Sequence, residues 1–316
     1  MNIAVIVAGL GEAQQARLRA ALTDHSVTFA ATLPEAEKRT VIAAAEIVFG
    51  NAPAPWLDAA PRLRWVQLDS AGVDAYLKIN APSRAALVQL TNLAGFYDRA
   101  VAEAALAGIL AFYRQLPRLI VAQTTARWIK NEVEPTIRAL DGQRVLILGA
   151  GAIAQRLAHL LAAFNARVTF FSRTARPGSL STAAELDAAL GKTDLLINTL
   201  PHTPATMGFL NHARLAQLKR DAVVCNVGRG STLDEAALVA LLDSGQLGGA
   251  VLDVTALEPL PAASPLWRHS KVLLSQHTGG RFPGETDRKI EVFLANLARF
   301  ERGEPLAHVV ANARGY

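Results

Sequence analysis

The stretch RVLILGAGAIAQRLAHLLAAFNARVTFFSR, residues 144–173, decides the fold. An apolar run, 144–149, ends in Gly149-x-Gly151-x-x-Ala154, and an Ala/Leu-rich helical stretch leads to a second apolar run, 167–171. Gly149 permits the tight turn. Gly151 lets backbone N–H groups of the turn, Ala152 and Ile153 included, approach a pyrophosphate at the helix N-terminus. Ala154 is small enough for close helix–strand packing. The motif is meaningful because strand, turn, helix and second strand occur together. The second run ends at Ser172, Arg173 and Thr174, where a carboxylate would accept hydrogen bonds from an adenosine ribose. A cation and two hydroxyls there suit a 2′-phosphate, with Arg176 close by, and so predict NADP(H) over NAD(H), NAD(H) remaining possible. The alternative is an arginine lying in solvent beside an unselective pocket.

Working outward, short apolar runs alternate with helical lengths along all 316 residues. Before the central unit they fall at 3–7, 27–30, 46–50, 64–68 and 86–90; after it at 195–199, 222–227, 249–254 and 271–276. Such runs predict parallel sheets covered on both faces, and eleven strands predict two sheets, hence two α/β domains. A helix is expected over 98–117, stopping at Pro117, and a last long helix after 280. The first domain boundary falls near residue 98. A rival turn, Gly9-x-Gly11-x-x-Gln14, carries a long side chain where a small one is needed and Glu12 where phosphate would sit, so both glycines read as ordinary turn residues.

The chain is 51% hydrophobic with a formal charge of +5. Its cations are scattered without interleaved aromatics, so no nucleic-acid partner is expected. No apolar run reaches the roughly 20 residues of a bilayer span, and no membrane partner is expected. One cysteine and no leader-like start point to a reducing cytoplasm.

Three later segments each begin at a strand end, where ligands bind in open α/β sheets: NVGRGSTLDEAAL (226–238), LDVTALEPLP (252–261) and SQHTGG (275–280). Each delivers one member of a proton-transfer set, Arg229, Glu258 and His277. Imidazole titrates near neutrality, which suits a proton donor. A carboxylate on its other nitrogen favours the charged form. A guanidinium clamps a carboxylate with two donors.

With these blocks, LDSAGVD (68–74), AVAEAALAGILA (100–111), RALDGQRVLILGAGAIA (138–154) and INTLPHTPAT (197–206), the sequence resembles the D-isomer-specific 2-hydroxyacid dehydrogenases along nearly its whole length. The resemblance implies a Rossmann dinucleotide-binding domain, 99–276, inserted into a flavodoxin-like substrate domain made of 1–98 and 277–316. It implies reduction of a small 2-oxo acid in a cleft between the domains. Glyoxylate or hydroxypyruvate is favoured, since the short first domain and the terminal ARGY look like that branch. Ser70 and the N–H groups of Ala71 and Gly72 would hold the substrate carboxylate together with Arg229. Pro201, Thr206, Val227, Gly228, Asp253 and Gly279 would line the cofactor, Asp253 orienting its carboxamide. A homodimer through the region after residue 100 is implied too. Departures from the family pattern are Ala154, the Ser172–Arg173 pair, and Gln276 where a proline is common.

The other histidines (25, 159, 202, 212, 269 and 308) and Cys225 are expected to be structural, while Trp65, Phe96 and Tyr97 suit either core or pocket. No metal-ligand spacing is present. A short-chain reductase would need Tyr-x-x-x-Lys, which no tyrosine here begins. Glu258 disfavours a formate dehydrogenase. A nucleotide-sensing, corepressor-like binding protein on the same fold is the competing function.

Overall fold

The structure, a computed structural model, describes residues 1–76, 79, 88–173 and 178–310. Thr174, Arg176, the start of the expected 86–90 strand and the terminal ARGY lie outside them. The chain divides into two units, Met1–Phe96 with Phe282–Tyr316, and Tyr97–Arg281.

In the first unit strands and helices alternate as β1 Asn2–Val5, α1 Glu12–Ala21, β2 Ser26–Phe29, α2 Glu35–Ala44, β3 Ile47–Phe49, α3 Ala54–Asp58, β4 Trp65–Gln67 and β5 Gln89–Thr91. The five strands are parallel in the order β2-β1-β3-β4-β5, a flavodoxin-like arrangement. Trp65 is fully buried, stacks on Phe293, and donates its indole N–H to Thr91 Oγ1 at 2.9 Å. It is core, not pocket.

The second unit runs α4 Asp98–Tyr113, α5 Leu116–Thr124, α6 Lys130–Val133, β6 Arg144–Leu148, α7 Ala152–Ala162, β7 Arg167–Phe171, β8 Ser179–Leu180, α8 Ala183–Leu190 and β9 Leu195–Asn198. It continues with α9 His212–Gln217, β10 Ala222–Asn226, α10 Glu235–Asp243, β11 Leu247–Leu252 and β12 Val272–Leu274; α11, Glu285–Glu301, returns to the first unit. Its seven parallel strands lie in the order β12-β11-β10-β9-β6-β7-β8, the doubly wound Rossmann pattern. Along β6 the apolar residues alternate: Leu146 and Leu148 pack with α8, α9 and α10, whereas Val145 and Ile147 pack with α4 and α7. Covering both faces is what makes the run continuously apolar, and each fully buried Leu or Ile contributes roughly 1.5–3 kcal/mol.

Three details differ from the expectations. α4 ends at Tyr113, before Pro117; Gln115 turns left-handed at φ 59°, and Pro117 opens α5. Proline lacks the N–H that a first helical turn leaves unused, so it starts a helix as readily as it stops one. β8 is an unforeseen strand of only two residues. The second junction falls between Arg281 and Phe282 rather than at 277, because the 275–279 loop is hydrogen-bonded to Asp253 in the second unit. No single helix among the described residues is long and apolar enough to cross a membrane; α4 and α5 together have the length but are bent by 66°.

Candidate active site

β6 and β9 are neighbours from which the sheet winds in opposite directions, so their carboxyl ends flank a crevice. Gly149 sits there at φ 98°, donates its N–H to Phe171 O at 2.8 Å, and would bring an added Cβ within 2.5 Å of Thr199 Oγ1. Gly151 caps α7 with no side chain on the helix N-terminus. A Cβ built at Gly151 meets nothing within 4 Å. Ala152 is exposed and Ile153 half-buried, while Ala154 is fully buried against the sheet. An open helix N-terminus above a close-packed first turn fits a pyrophosphate. Ser172, half-buried, donates its N–H to Leu180 O at 2.9 Å, and Arg173 is exposed.

The next two strand-end loops are tied together. Thr206 Oγ1 donates to Pro201 O at 2.6 Å, closing the 201–206 turn, and His202 Nδ1 lies 2.7 Å from Ser231 Oγ. Beneath them Asn198 Nδ2 donates to Asn226 Oδ1 at 2.9 Å, and Asn226 Oδ1 also accepts from Gly228 N–H at 3.1 Å. Both asparagines are fully buried, where an unpaired amide would be costly. They fix the turn that carries Arg229, whose carbonyl accepts from Asn226 Nδ2 and Thr232 Oγ1 at 3.2 and 2.6 Å. Their signal in the sequence is an Asn ending each of two otherwise apolar strands.

Gly230 packs that turn onto the loop after β11: an added Cβ would lie 1.9 Å from the Thr255 carbonyl carbon. Glu235 Oε1 accepts from Ala256 N–H at 2.6 Å across the same contact. Glu258 is thereby held in place, Oε1 accepting from Thr255 N–H at 3.0 Å and Oε2 lying 2.6 Å from His277 Nδ1. A carboxylate only accepts, so Nδ1 carries the proton and Nε2 is left for other chemistry. Gly230→Ala is expected to push these loops apart, lowering both Tm and turnover; unchanged thermal unfolding and kcat would contradict the packing.

His277 and Gln276 both adopt left-handed backbones, φ 56° and 54°, a conformation that costs a non-glycine residue about 1–3 kcal/mol. Asp253 holds them there. Its main-chain carbonyl accepts from His277 N–H at 2.6 Å. Its Oδ1 accepts from Ser275 Oγ, Thr278 N–H and Gly279 N–H at 2.7, 3.1 and 3.1 Å. This clamping role was not foreseen from the sequence, which marked Asp253 only as a cofactor contact. Proline, common before the histidine in the family, could not adopt the φ of Gln276. A cleft of about 400 Å³ opens beside the pair, walled by Thr255, Pro259, Leu260, Trp267 and Leu274 with Glu258 and His277.

Thus Glu258 and His277 touch, and Arg229 stands on a turn packed against the Glu258 loop, its Nη1 donating to Gly228 O at 2.8 Å. Val227 and Gly228 are buried in that turn, and Gly279 beside Asp253. Ser70, Ala71 and Gly72 belong to the first unit. There Ser70 Oγ donates to Gly72 O at 2.9 Å, Asn92 Nδ2 donates to Ala71 O at 2.7 Å, and the N–H groups of Ala71 and Gly72 donate to no group among the described residues. Cys225 is fully buried, and burial, then the charge of Asp253, pushes its thiol up to about 12; it is packing, not a nucleophile. Among the described residues no group of three His, Cys, Asp or Glu side chains is placed to hold a metal ion.

Residues 106–279 match the family model of the D-isomer specific 2-hydroxyacid dehydrogenase, NAD binding domain. The chain is 37% identical over 267 residues to glyoxylate/hydroxypyruvate reductase A of Salmonella typhimurium, covering 82% of this chain and 83% of that one. It is also similar to the NADPH-dependent glyoxylate/hydroxypyruvate reductase of Sinorhizobium meliloti, solved with NADP and sulfate, at 29% identity and TM-score 0.82, covering 99% of each chain. A D-isomer specific 2-hydroxyacid dehydrogenase of Xanthobacter autotrophicus, solved with NADPH and MES, superposes with TM-score 0.80 at 29% identity, again over 99% of each. The chain belongs to the D-isomer specific 2-hydroxyacid dehydrogenase family and is an oxidoreductase of that family.

Proposed function

We propose that the protein reduces a small 2-oxo acid, glyoxylate or hydroxypyruvate in the first instance, to the 2-hydroxy acid with NADPH, and that His277 donates the proton. The observation that carries this reading is the 2.6 Å pair of His277 Nδ1 and Glu258 on a loop clamped by Asp253. The relatives from Salmonella and Sinorhizobium, named for the same reaction, support the substrate class.

NADPH, when bound, supplies the hydride for C2 of the oxo acid. Gly149, Gly151 and the first turn of α7 would hold its pyrophosphate, Ser172, Arg173 and Thr174 its 2′-phosphate. Pro201, Thr206, Val227, Gly228, Asp253 and Gly279 would line the rest of its path. His277 Nε2–H gives its proton to the carbonyl oxygen while Glu258 keeps the other ring nitrogen protonated and the ring in one orientation. Arg229 grips the substrate carboxylate and polarises the carbonyl. The N–H groups of Ala71 and Gly72, with Ser70, would take the carboxylate of an oxo acid.

A panel of 2-oxo acids assayed with NADPH and with NADH tests the reading: turnover of glyoxylate or hydroxypyruvate, faster with NADPH, is expected. A protein that binds cofactor and reduces none of them would be the sensor instead. Arg173→Ala should lower kcat/KM with NADPH by ~10- to 100-fold, the worth of one or two charge-assisted hydrogen bonds. Its activity with NADH should stay nearly constant. Equal losses with both cofactors would refute 2′-phosphate recognition. We further expect a homodimer built on the α5 region, whose Leu116, Ile120, Val121 and Trp128 are 45, 59, 67 and 91% exposed; light scattering reads it directly.

A further inference from the structure

The loop 68–74 carries an acid, Asp69, immediately before the Ser70–Gly72 segment proposed above to hold the substrate carboxylate. A negative charge in that position works against an anionic ligand. Behind it, α11 places a buried lysine. Lys289 is 8% exposed in its side chain, with its ammonium 2.7 Å from Glu285 and 3.9 Å from Asp69. Glu285 lies in the first helical turn of α11, where a helix N-terminus favours a carboxylate. The charge of Asp69 reaches its neighbours: Tyr76, seven residues further along the chain, has its hydroxyl pushed up to about 12, first by burial and then by Asp69.

We propose that Lys289 is a charge-compensating residue for carboxylate binding: it offsets the charge of Asp69, so that the Ala71 and Gly72 N–H groups can take an anion. The inference rests on the reading of 70–72 as a carboxylate loop. The lysine touches no substrate and acts through Asp69. It was invisible in the sequence, lying over two hundred positions from the loop on a helix read only as the last of the chain.

Two charges separated by low-dielectric protein interact far more strongly than across water. Lys289→Met leaves Asp69 beside the anion site without this counter-charge. The KM for a 2-oxo acid, and the Kd of oxamate read by calorimetry on the NADPH-loaded protein, should each rise ~10-fold, with kcat changed less than about twofold. Lys289→Arg should keep the wild-type values. Adding Asp69→Asn to Lys289→Met should recover most of the loss, which a merely structural lysine would not allow. The lost affinity should also shrink as salt is raised. An unchanged oxamate Kd in Lys289→Met, no recovery in the double variant, or a wild type that binds no oxamate would overturn the proposal. Wild-type turnover of 2-oxo acids, measured on the same preparation, decides the functional reading separately.

Discussion

His277→Asn should lower kcat for 2-oxo acid reduction by ~10³-fold, within the 10²–10⁴ that a positioned proton donor contributes, and leave NADPH affinity nearly intact. Asparagine suits the position because the backbone there is left-handed, φ 56°, and Asn tolerates that region better than most residues. The Asp253 carbonyl still accepts its N–H, and the loop should stay in place. What disappears is the proposed proton donor to the carbonyl oxygen, which should raise the barrier by about 4 kcal/mol. Cofactor affinity, followed by fluorescence, serves as the control for folding. Activity within tenfold of wild type would remove His277 as the donor.

Glu258→Gln should cost ~10²- to 10³-fold in kcat in both directions of the reaction. The side chain is fixed by Thr255 N–H, which donates to Oε1 at 3.0 Å. A glutamine there turns its carbonyl to that donor and its NH₂ to the imidazole. Nδ1 must then accept, and the protonated ring loses its support. Reduction lacks a strong acid, and oxidation lacks a base, because Nε2 then carries the proton. The variant should unfold within a few degrees of wild type. The side chains of His277 and Glu258 are 53 and 37% exposed, and pairs so open to water contribute only about 0–1 kcal/mol to stability. The pair is there for geometry. A Glu258→Gln enzyme with unaltered kcat would sever it from the chemistry.

The nucleotide unit was legible because its signal is dense: Gly149, Gly151 and Ala154 each answer a separate steric demand, and two apolar strands flank them. The same density separated it from Gly9 and Gly11. In the structure Gly11 caps α1, and Gln14 reaches across to Asp287 at 3.3 Å rather than leaving room for a phosphate. Glu258 and His277 were legible as residue types at strand ends, and their pairing was expected through the family resemblance; the loop contacts that hold the pair needed the fold. What stayed hidden has a common physical character. β8 is two residues held by the neighbouring β7, too short for periodicity to show. Pro117 supports either end of a helix, and only the left-handed Gln115 decides between them. Asp253 was marked for a ligand through the family resemblance; its clamping role stayed hidden because its hydrogen bonds go to Ser275, Thr278 and Gly279, over twenty positions away. Lys289 and Asp69 meet only when α11 returns to the first sheet. Long-range polar partners leave no local pattern, whereas turns and buried strands do.

The most direct test follows the atoms. Hydroxypyruvate is offered to the wild-type protein with NADPH carrying deuterium at the transferable position, and the product is read by mass spectrometry and chiral separation. D-glycerate bearing the label at C2, and almost none from His277→Asn under the same conditions, is the expected result. Unlabelled product, the L isomer, or equal labelled yield from the variant would contradict hydride reduction assisted by His277.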